Sequence, residues 1–371
     1  MNIVWLSWKD RGHPLTGGAE RVSGEIMDRM AADGHTVRHI TALYPGSETH
    51  ESVCEGLDVY RSGNRYSVYG AARKTFNATS ADWADVVIDE MNTLPFWASR
   101  FSKKATNILL AYQLAREVWF YQMAFPLSLV GYLYEPIMLK LLSRGRYSAV
   151  ATESESSKRD MEKYGLSKIT TFRVGISTHP LSSLTKKRSL SLILSLGAVR
   201  PMKRTLEAIK AFEIAHNQND KLRMVIAGDI DSAYGRKIVK YVSLSEHKDS
   251  IDIKGRVTNE VRLQLMQDAA LILVTSIKEG WGLIVTEANS QGTPAIVYDV
   301  DGLRDSVRAN KTGIIVPNND YSAMSDAINS LLSNAPLYDS LRHNAWEMSK
   351  EYTFDNSYED FMKIIHKAQS V

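Results

Sequence analysis

Two carboxylates and a run of cations are the residues of this chain best placed to do chemistry. Glu279 and Glu287 stand seven residues apart around Gly280-Trp281-Gly282-Leu283, directly after an apolar run, residues 271–275, that reads as a strand. The glycines permit a tight turn and let backbone approach a ligand with no Cβ in the way. A helix opening near Leu283 would offer unpaired N–H groups, and the positive end of its dipole, to a diphosphate. Glu287, just over one turn in, could accept hydrogen bonds from two vicinal ribose hydroxyls. Glu279, at the strand end, could contact hydroxyls of a transferred sugar. On spacing alone the bland reading, an exposed loop acid and an ordinary helix-surface acid, stays ahead. The order of strand, glycine-rich turn and helix favours the site.

The cations lie upstream, in Gly197-Ala198-Val199-Arg200-Pro201-Met202-Lys203-Arg204, where another strand passes into a helix. A departing nucleoside diphosphate accumulates negative charge as its bond to a sugar breaks. Lys203, Arg200 or Arg204 beside it would stabilise that charge more in the transition state than in the ground state. A guanidinium can also grip phosphate oxygens bidentately. Basic turns of this kind are otherwise simply solvated. In the first half, Gly17-Gly18-Ala19-Glu20 follows His13-Pro14 and precedes a helix, which by itself marks only a turn. Gly255-Arg256-Val257 closes a further strand, and Gly255 reads as structural first. Asp89-Glu90-Met91-Asn92, at the end of a first-half strand, could bind acceptor hydroxyls or cap a helix; the cap is favoured.

In this order the motifs resemble the family-4 retaining glycosyltransferases of the GT-B fold, the glycosyl transferases group 1. The resemblance runs from the first strand to the last helix and is strongest from Leu196 to Val316. It includes Gln291-Gly292-Thr293-Pro294-Ala295-Ile296-Val297 and Thr312-Gly313-Ile314-Ile315-Val316. It implies that Lys203 neutralises a donor diphosphate, that Gly17-Gly18 forms a loop facing the phosphates and acceptor, and that Gly255-Arg256 borders the nucleotide base. Three departures stand out. Ala198 occupies a position where Arg is common, so Arg200 or Arg204 would have to substitute. Asp301-Gly302 stands where two glycines are usual. Tyr112 or Gln113 takes the place of a His near the reacting sugar, leaving His13 as a poor spare. Retaining transfer of this kind is commonly explained by a front-face mechanism, in which the leaving phosphate oxygen accepts the acceptor's proton, so a missing His does not exclude catalysis. Asp229-Ile230-Asp231 and Asp299-Val300-Asp301 resemble the metal-binding pairs of the other common glycosyltransferase fold. With Lys203 available for the phosphates, no catalytic metal or other cofactor is expected.

The elements that must position these residues follow an α/β alternation along the whole chain. Strands are expected at 2–7, 35–41, 58–60, 85–89, 107–111, 148–151 and 169–174, then at 190–196, 223–227, 251–254, 271–275, 295–298 and 312–316. Helices are expected at 18–32 and 205–216. A basic stretch, 182–189, reads as a linker. The expected fold is therefore two Rossmann-like domains, 1–182 for the acceptor and 189–352 for the donor, facing each other across a cleft, with a last helix, 353–371, crossing back to the first. The length of 371 residues allows two such cores. A net charge of +3 is too small to argue for nucleic-acid binding. A single cysteine, Cys54, provides no disulfide framework and suits a cytoplasmic protein.

The amino terminus is too short and too quickly charged for a signal peptide, and reads as a buried strand. The apolar stretch 118–134 approaches a membrane span, but Gln122 and Pro126 interrupt it and Glu135-Pro136 closes it. The stretch from Val118 to Leu142, followed by Arg144 and Arg146, reads as a pair of core helices. The sharper alternative is a surface lying on a membrane or receiving a lipid-linked sugar. The expected activity is hexose transfer from a UDP- or GDP-linked donor to a glycan or lipid-linked acceptor, at the inner face of the membrane if that surface is used. The alternatives are a nucleotide-sugar epimerase or hydrolase of the same fold, or a non-catalytic scaffold. A nicotinamide-dependent dehydrogenase is disfavoured, because no Gly-x-Gly-x-x-Gly follows the first strand.

Overall fold

The computed structural model describes residues 1–187 and 189–370. Arg188, in the stretch read as a linker, and Val371, at the end of the expected last helix, lie outside them. The chain forms two compact units. One comprises Met1–Arg116, Leu129–Gly175 and the segment from Thr353 onward; the other comprises Glu117–Ser128 and Ile176–Tyr352. The passage between units thus falls at Gly175, ahead of the basic stretch, and a short excursion, Glu117–Ser128, leaves the first unit altogether. That basic stretch is not simply solvated. Lys187 is half-buried and donates to the carbonyl of Gln267 (2.5 Å) and to Thr293 Oγ1 (2.7 Å). Burial pushes its ammonium down to about 7.

In the first unit the strands are β1 (Asn2–Leu6), β2 (Thr36–Thr41), β3 (His50–Cys54), β4 (Leu57–Arg61), β5 (Val86–Met91), β6 (Thr106–Ala111), β7 (Ala149–Thr152) and β8 (Ile169–Thr171). They form one sheet in the order β3-β4-β2-β1-β5-β6-β7-β8. All neighbours are parallel except β3, which pairs antiparallel with β4 at the edge. Central parallel strands are covered on both faces, so they need continuous apolar runs rather than alternation. Val86 to Met91 is accordingly buried throughout, and only the first residue of β1 reaches solvent. The edge strand β3, His-Glu-Ser-Val-Cys, is mostly exposed and carries no such signal.

The Gly18–Ala32 helix follows β1 and presents Val22, Ile26 and Met30 to the core at helical spacing. The closing Phe354–Gln369 helix packs against it. Phe361 stacks on Trp5 with ring centroids 5.3 Å apart, Asp360 pairs with Arg173 at 2.7 Å, and Ser357 Oγ accepts the Gly175 N–H at 2.7 Å.

In the second unit β9 (Leu192–Leu196), β10 (Arg223–Ala227), β11 (Ile251–Gly255), β12 (Leu271–Val274), β13 (Ala295–Tyr298) and β14 (Gly313–Val316) form a wholly parallel sheet in the order β11-β10-β9-β12-β13-β14. The order reverses between β9 and β12. In doubly wound sheets ligands bind outside the carboxyl ends of the two strands at such a reversal. The Gly197–Arg204 loop leaves one of these strands and the Thr275–Gly282 loop leaves the other.

Beneath the Gly18–Ala32 helix lies an acid whose importance the sequence did not signal. Glu90 is 2% exposed, and its Oε2 accepts from Trp5 Nε1 and Ser23 Oγ, both at 2.7 Å. Burial, reinforced by the nearby charge of Glu20, pushes its carboxyl up to about 8. The ordinary value is 4.5. Between those values the native state holds a proton that the unfolded chain has released, so stability falls as pH rises from about 4.5 through about 8 and then levels. A Glu90→Gln variant keeps an acceptor for both donors and has no charge to bury. Its melting temperature, followed by calorimetry from pH 5 to pH 9, is expected to decline less than that of the wild type, by the equivalent of a few kcal/mol. Parallel profiles would show that Glu90 stays ionised in the folded protein.

Candidate donor site

At the carboxyl end of β9 the chain makes a turn, Pro201–Lys203, and enters the Thr205–Gln218 helix through Arg204. At the end of β12 the loop runs through Glu279 to Gly282, which starts the Leu283–Ser290 helix. The two loops are stitched together. Ile277 N–H donates to the Met202 carbonyl at 2.9 Å, and Thr275 Oγ1 donates to the carbonyls of Lys203 and Arg204, both at 2.9 Å. This brings the Lys203 ammonium onto the Glu279 carboxylate as an ion pair, with Ser276 Oγ donating to the same oxygen at 2.5 Å. The pair is partly open to solvent, Lys203 at 33% and Glu279 at 16%. Arg200 opens the turn and is exposed. Arg204, in a left-handed conformation, is turned to Asn318, whose Oδ1 accepts from its Nη1 at 2.6 Å.

The residue that opens the Leu283–Ser290 helix is Gly282, which has no side chain to cap it, so the first N–H groups carry the positive end of the helix dipole. Gly282 has φ +91°, and a Cβ there would lie 2.9 Å from Leu303. Gly302, at φ +78°, is more constrained: its Cβ would sit 2.2 Å from the Glu279 carbonyl oxygen. The Glu279 N–H donates back to the Asp301 carbonyl at 3.0 Å. The loop after β13 therefore clamps the Glu279-Gly280 backbone, and this is why Asp301 is tolerated where a second glycine is usual but Gly302 is retained. The Asp301 side chain turns away to Lys278 (3.2 Å) and Arg304.

Glu287 is also held. Its Oε2 accepts from Arg262 Nη1 at 2.7 Å, and its Oε1 from Ser177 Oγ at 3.3 Å. Arg262 donates in addition to Asn259 Oδ1 (2.9 Å) and Thr178 Oγ1 (3.3 Å). A carboxylate offers about four lone-pair sites, so two remain for a ligand. Arg262 and Ser177 were not singled out from the sequence. Each belongs to no motif: Arg262 comes from the Asn259–Asp268 helix and Ser177 from the segment just after Gly175, and only the tertiary fold brings them to Glu287. The Trp119–Gln122 turn, which packs on Pro201–Lys203, is likewise invisible in one dimension.

Several candidates take other roles. Trp281 is 8% exposed; its indole lies 5.0 Å from the Tyr352 ring and its N–H donates to Thr286 Oγ1 at 2.9 Å, so its side chain packs the loop from within. Asp89 is fully buried and accepts the N–H groups of Phe96 and Ala98, both at 2.8 Å, and the Tyr147 hydroxyl at 2.6 Å; it is the cap. Tyr112 is buried under the first helix, 2.7 Å from Ser23 Oγ, with its hydroxyl at the Ala19 carbonyl (3.2 Å). Neighbouring Gln113 is half-buried, and its Oε1 has no hydrogen-bond partner among the described residues. His13 packs its ring against Trp8 and Tyr44, and burial lowers its pKa below the ordinary imidazole value. Gly17 starts the first helix with Gly18 following, and the Gly17 N–H is taken by Glu20 Oε2 at 2.7 Å. Gly255 bends at φ +63° while its carbonyl accepts the Gly228 N–H at 2.8 Å.

The paired aspartates are engaged as well. Asp229 is bound by the Asp231 N–H (3.0 Å) and Arg256 (2.7 Å), which hold it below the usual carboxylate range. Asp299 is bound by Arg304 at 2.7 Å. Among the described residues no group of three His, Cys, Asp or Glu side chains is arranged to hold a metal ion.

Two parallel α/β units, with a glycine-rich strand–turn–helix at the reversal of the second sheet, define the GT-B class of glycosyltransferase. The family model of glycosyl transferases group 1 matches residues 154–348, and the chain belongs to that family. The fold is similar over its whole length to sucrose-phosphate synthase from Thermosynechococcus elongatus, with a TM-score of 0.78 at 18% identity, covering 100% of this chain and 99% of the other. Anabaena HepE, solved in complex with UDP-glucose, superposes with a TM-score of 0.73 at 14% identity, covering 100% of both chains. A D-inositol 3-phosphate glycosyltransferase of Nocardia farcinica is 26% identical over 204 residues, 50% of this chain and 45% of the relative. The chain thus matches about half the length of such curated relatives. No helix among the described residues is long and apolar enough to cross a membrane.

The clamp on Glu279 can be tested by substitution. Gly302→Ala adds an overlap with the Glu279 carbonyl to the strain of a left-handed alanine, and is expected to cost about 2–4 kcal/mol and to separate Glu279 from Lys203. Gly46→Ala, at φ +84° with nothing within 4 Å of its Cβ, carries the strain alone, about 1–2 kcal/mol. Equal losses in urea unfolding would show that the close approach contributes nothing.

Proposed function

We propose that the protein is a retaining hexosyltransferase that moves a sugar from a UDP- or GDP-linked donor to a hydroxyl of a glycan or lipid-linked acceptor. The observation that carries this reading is the meeting of Lys203 and Glu279 at the reversal of the second sheet, beside an uncapped helix amino terminus with Glu287 one turn further on. The diphosphate takes the helix N–H groups and the Lys203 ammonium, which leaves Glu279 for it. Glu279, so released, turns its carboxylate to the hydroxyls of the hexose. Glu287, oriented by Arg262, accepts from the ribose. Arg200 is near enough to the phosphate loop to add a second positive charge.

The chemistry then needs little beyond orientation and charge. The bond from the anomeric carbon to the diphosphate oxygen breaks. That oxygen takes the proton of the acceptor hydroxyl, and the acceptor oxygen bonds the same carbon from the same face. The products are a nucleoside diphosphate and a glycoside of unchanged anomeric configuration. Asp89 and Tyr112 are committed to internal bonds and do not act as bases. The reaction proceeds without a metal, because the charge of the leaving group is met by Lys203 and the helix, while the paired aspartates are already balanced by Arg256, Arg304 and Lys278. The solved complex of Anabaena HepE with UDP-glucose supports the donor class. The name of the Nocardia farcinica relative supports a hydroxyl acceptor.

The test is a calorimetric and turnover screen of UDP- and GDP-sugars with and without acceptors, in the presence of EDTA. Binding with acceptor-dependent release of nucleoside diphosphate is expected. Lys203→Ala should lower turnover by about 10²–10³, the loss typical of removing one stabiliser of developing negative charge. Glu279→Gln should lower turnover while tightening free nucleoside diphosphate, up to about fivefold, because an exposed ion pair worth at most about 1 kcal/mol no longer competes for Lys203. Sugar release that ignores acceptors would indicate a hydrolase or epimerase. No binding across the panel would leave only a scaffold.

A further inference from the structure

We propose that the Leu127–Leu142 helix docks the protein on an anionic lipid surface, through a face that the first unit leaves uncovered. The inward side of this helix is anchored. Met138, Leu139 and Leu142 join a core with Leu109, Ala111 and Val150. The Glu135 carboxylate accepts the N–H groups of Ala115 and Arg116, both at 2.7 Å. The outward side should be polar on a surface helix. It is instead a continuous apolar arc: Val130 is 60% exposed, Leu133 59%, Tyr134 45%, Ile137 60% and Leu141 41%. These five positions repeat at intervals of three and four residues, so they lie on one face.

The charges at the end of the arc select the occupant. Lys140, Arg144 and Arg146 are all exposed, and none has a carboxylate partner among the described residues. The only acid between Leu127 and Arg146 is Glu135, which is buried and occupied. An apolar arc with a cationic end is the signature of a helix that lies in the plane of a bilayer surface, its side chains among the acyl chains and its cations at the headgroups. A second copy of the chain is a poorer occupant. A two-fold contact along this face would bring the three cations of each copy to a helix face that carries no exposed acid to meet them.

The experiment is flotation of the full chain with phosphatidylcholine vesicles, with and without phosphatidylglycerol. Binding is expected with phosphatidylglycerol, weakened by salt, and weak without it. The pair Val130→Ser and Ile137→Ser alters only exposed side chains, so flotation should be lost while the melting temperature stays unchanged. The pair Lys140→Ser and Arg144→Ser should reduce apparent affinity by roughly fivefold per cation. Absence of flotation, equal flotation of the serine variant at 130 and 137, or indifference to phosphatidylglycerol would each overturn the proposal. So would a dimer in sedimentation velocity that the same variant disperses, since the face would then belong to a second copy.

Discussion

The geometry of the second unit depends on how closely three loops can approach at the carboxyl ends of a parallel sheet. Strands β9 and β12 are neighbours whose following loops diverge to opposite faces, which leaves a crevice between them. Backbone hydrogen bonds from Ile277 to Met202, and from Glu279 to Asp301, draw the walls of the crevice together. The contact of Gly302 with the Glu279 carbonyl is tight enough that no side chain fits. Once the walls are fixed, the positions of Lys203 and Glu279 follow from the backbone. Their ion pair is a consequence of that approach.

The acids of the molecule divide by environment more than by position in a motif. Glu279 and Glu287 are partly open, and each is matched by one cation. Asp89 is sealed in and satisfied by three donors, which makes it a structural brace for the turn before Ala98. Glu90, one residue on, points to the opposite face of β5, where it meets Trp5 and Ser23 without a cation in contact. Successive residues of a strand face opposite ways, so two adjacent acids have unrelated fates. The first unit accepts a buried carboxyl under its opening helix, and the closing helix stacks Phe361 on the same Trp5 that serves it.

The Leu127–Leu142 helix shows a similar division around one element. Its high overall apolarity comes from two faces with different partners: one packs on the sheet, the other is open. A single helix cannot bury its whole circumference at the edge of a sheet, and the remaining arc ends in cations. That arrangement separates it from the expected pair of core helices. The Trp119–Gln122 turn before it has no buried residue at all.

The sequence by itself determined the α/β alternation, because buried parallel strands require unbroken apolar runs and amphipathic helices must cover them. The Gly18–Ala32 helix and strands β10 and β13 were legible to the residue. It also determined the strand, glycine-rich turn and helix of the candidate donor loop, because two glycines between a strand and a helix, flanked by two glutamates, form a local pattern. The polar edge strand β3 was not legible, since an exposed strand needs neither apolar run nor strict alternation. Only the tertiary structure decided which charges meet. Arg262 reaches Glu287 from 25 residues away and Lys203 reaches Glu279 from 76, and such pairings leave no trace in spacing. It also decided that Trp281 and Tyr112 turn inward and that one face of the Leu127–Leu142 helix stays bare. Burial depends on what packs opposite a residue, and hydrophobicity along the chain carries no record of the partner.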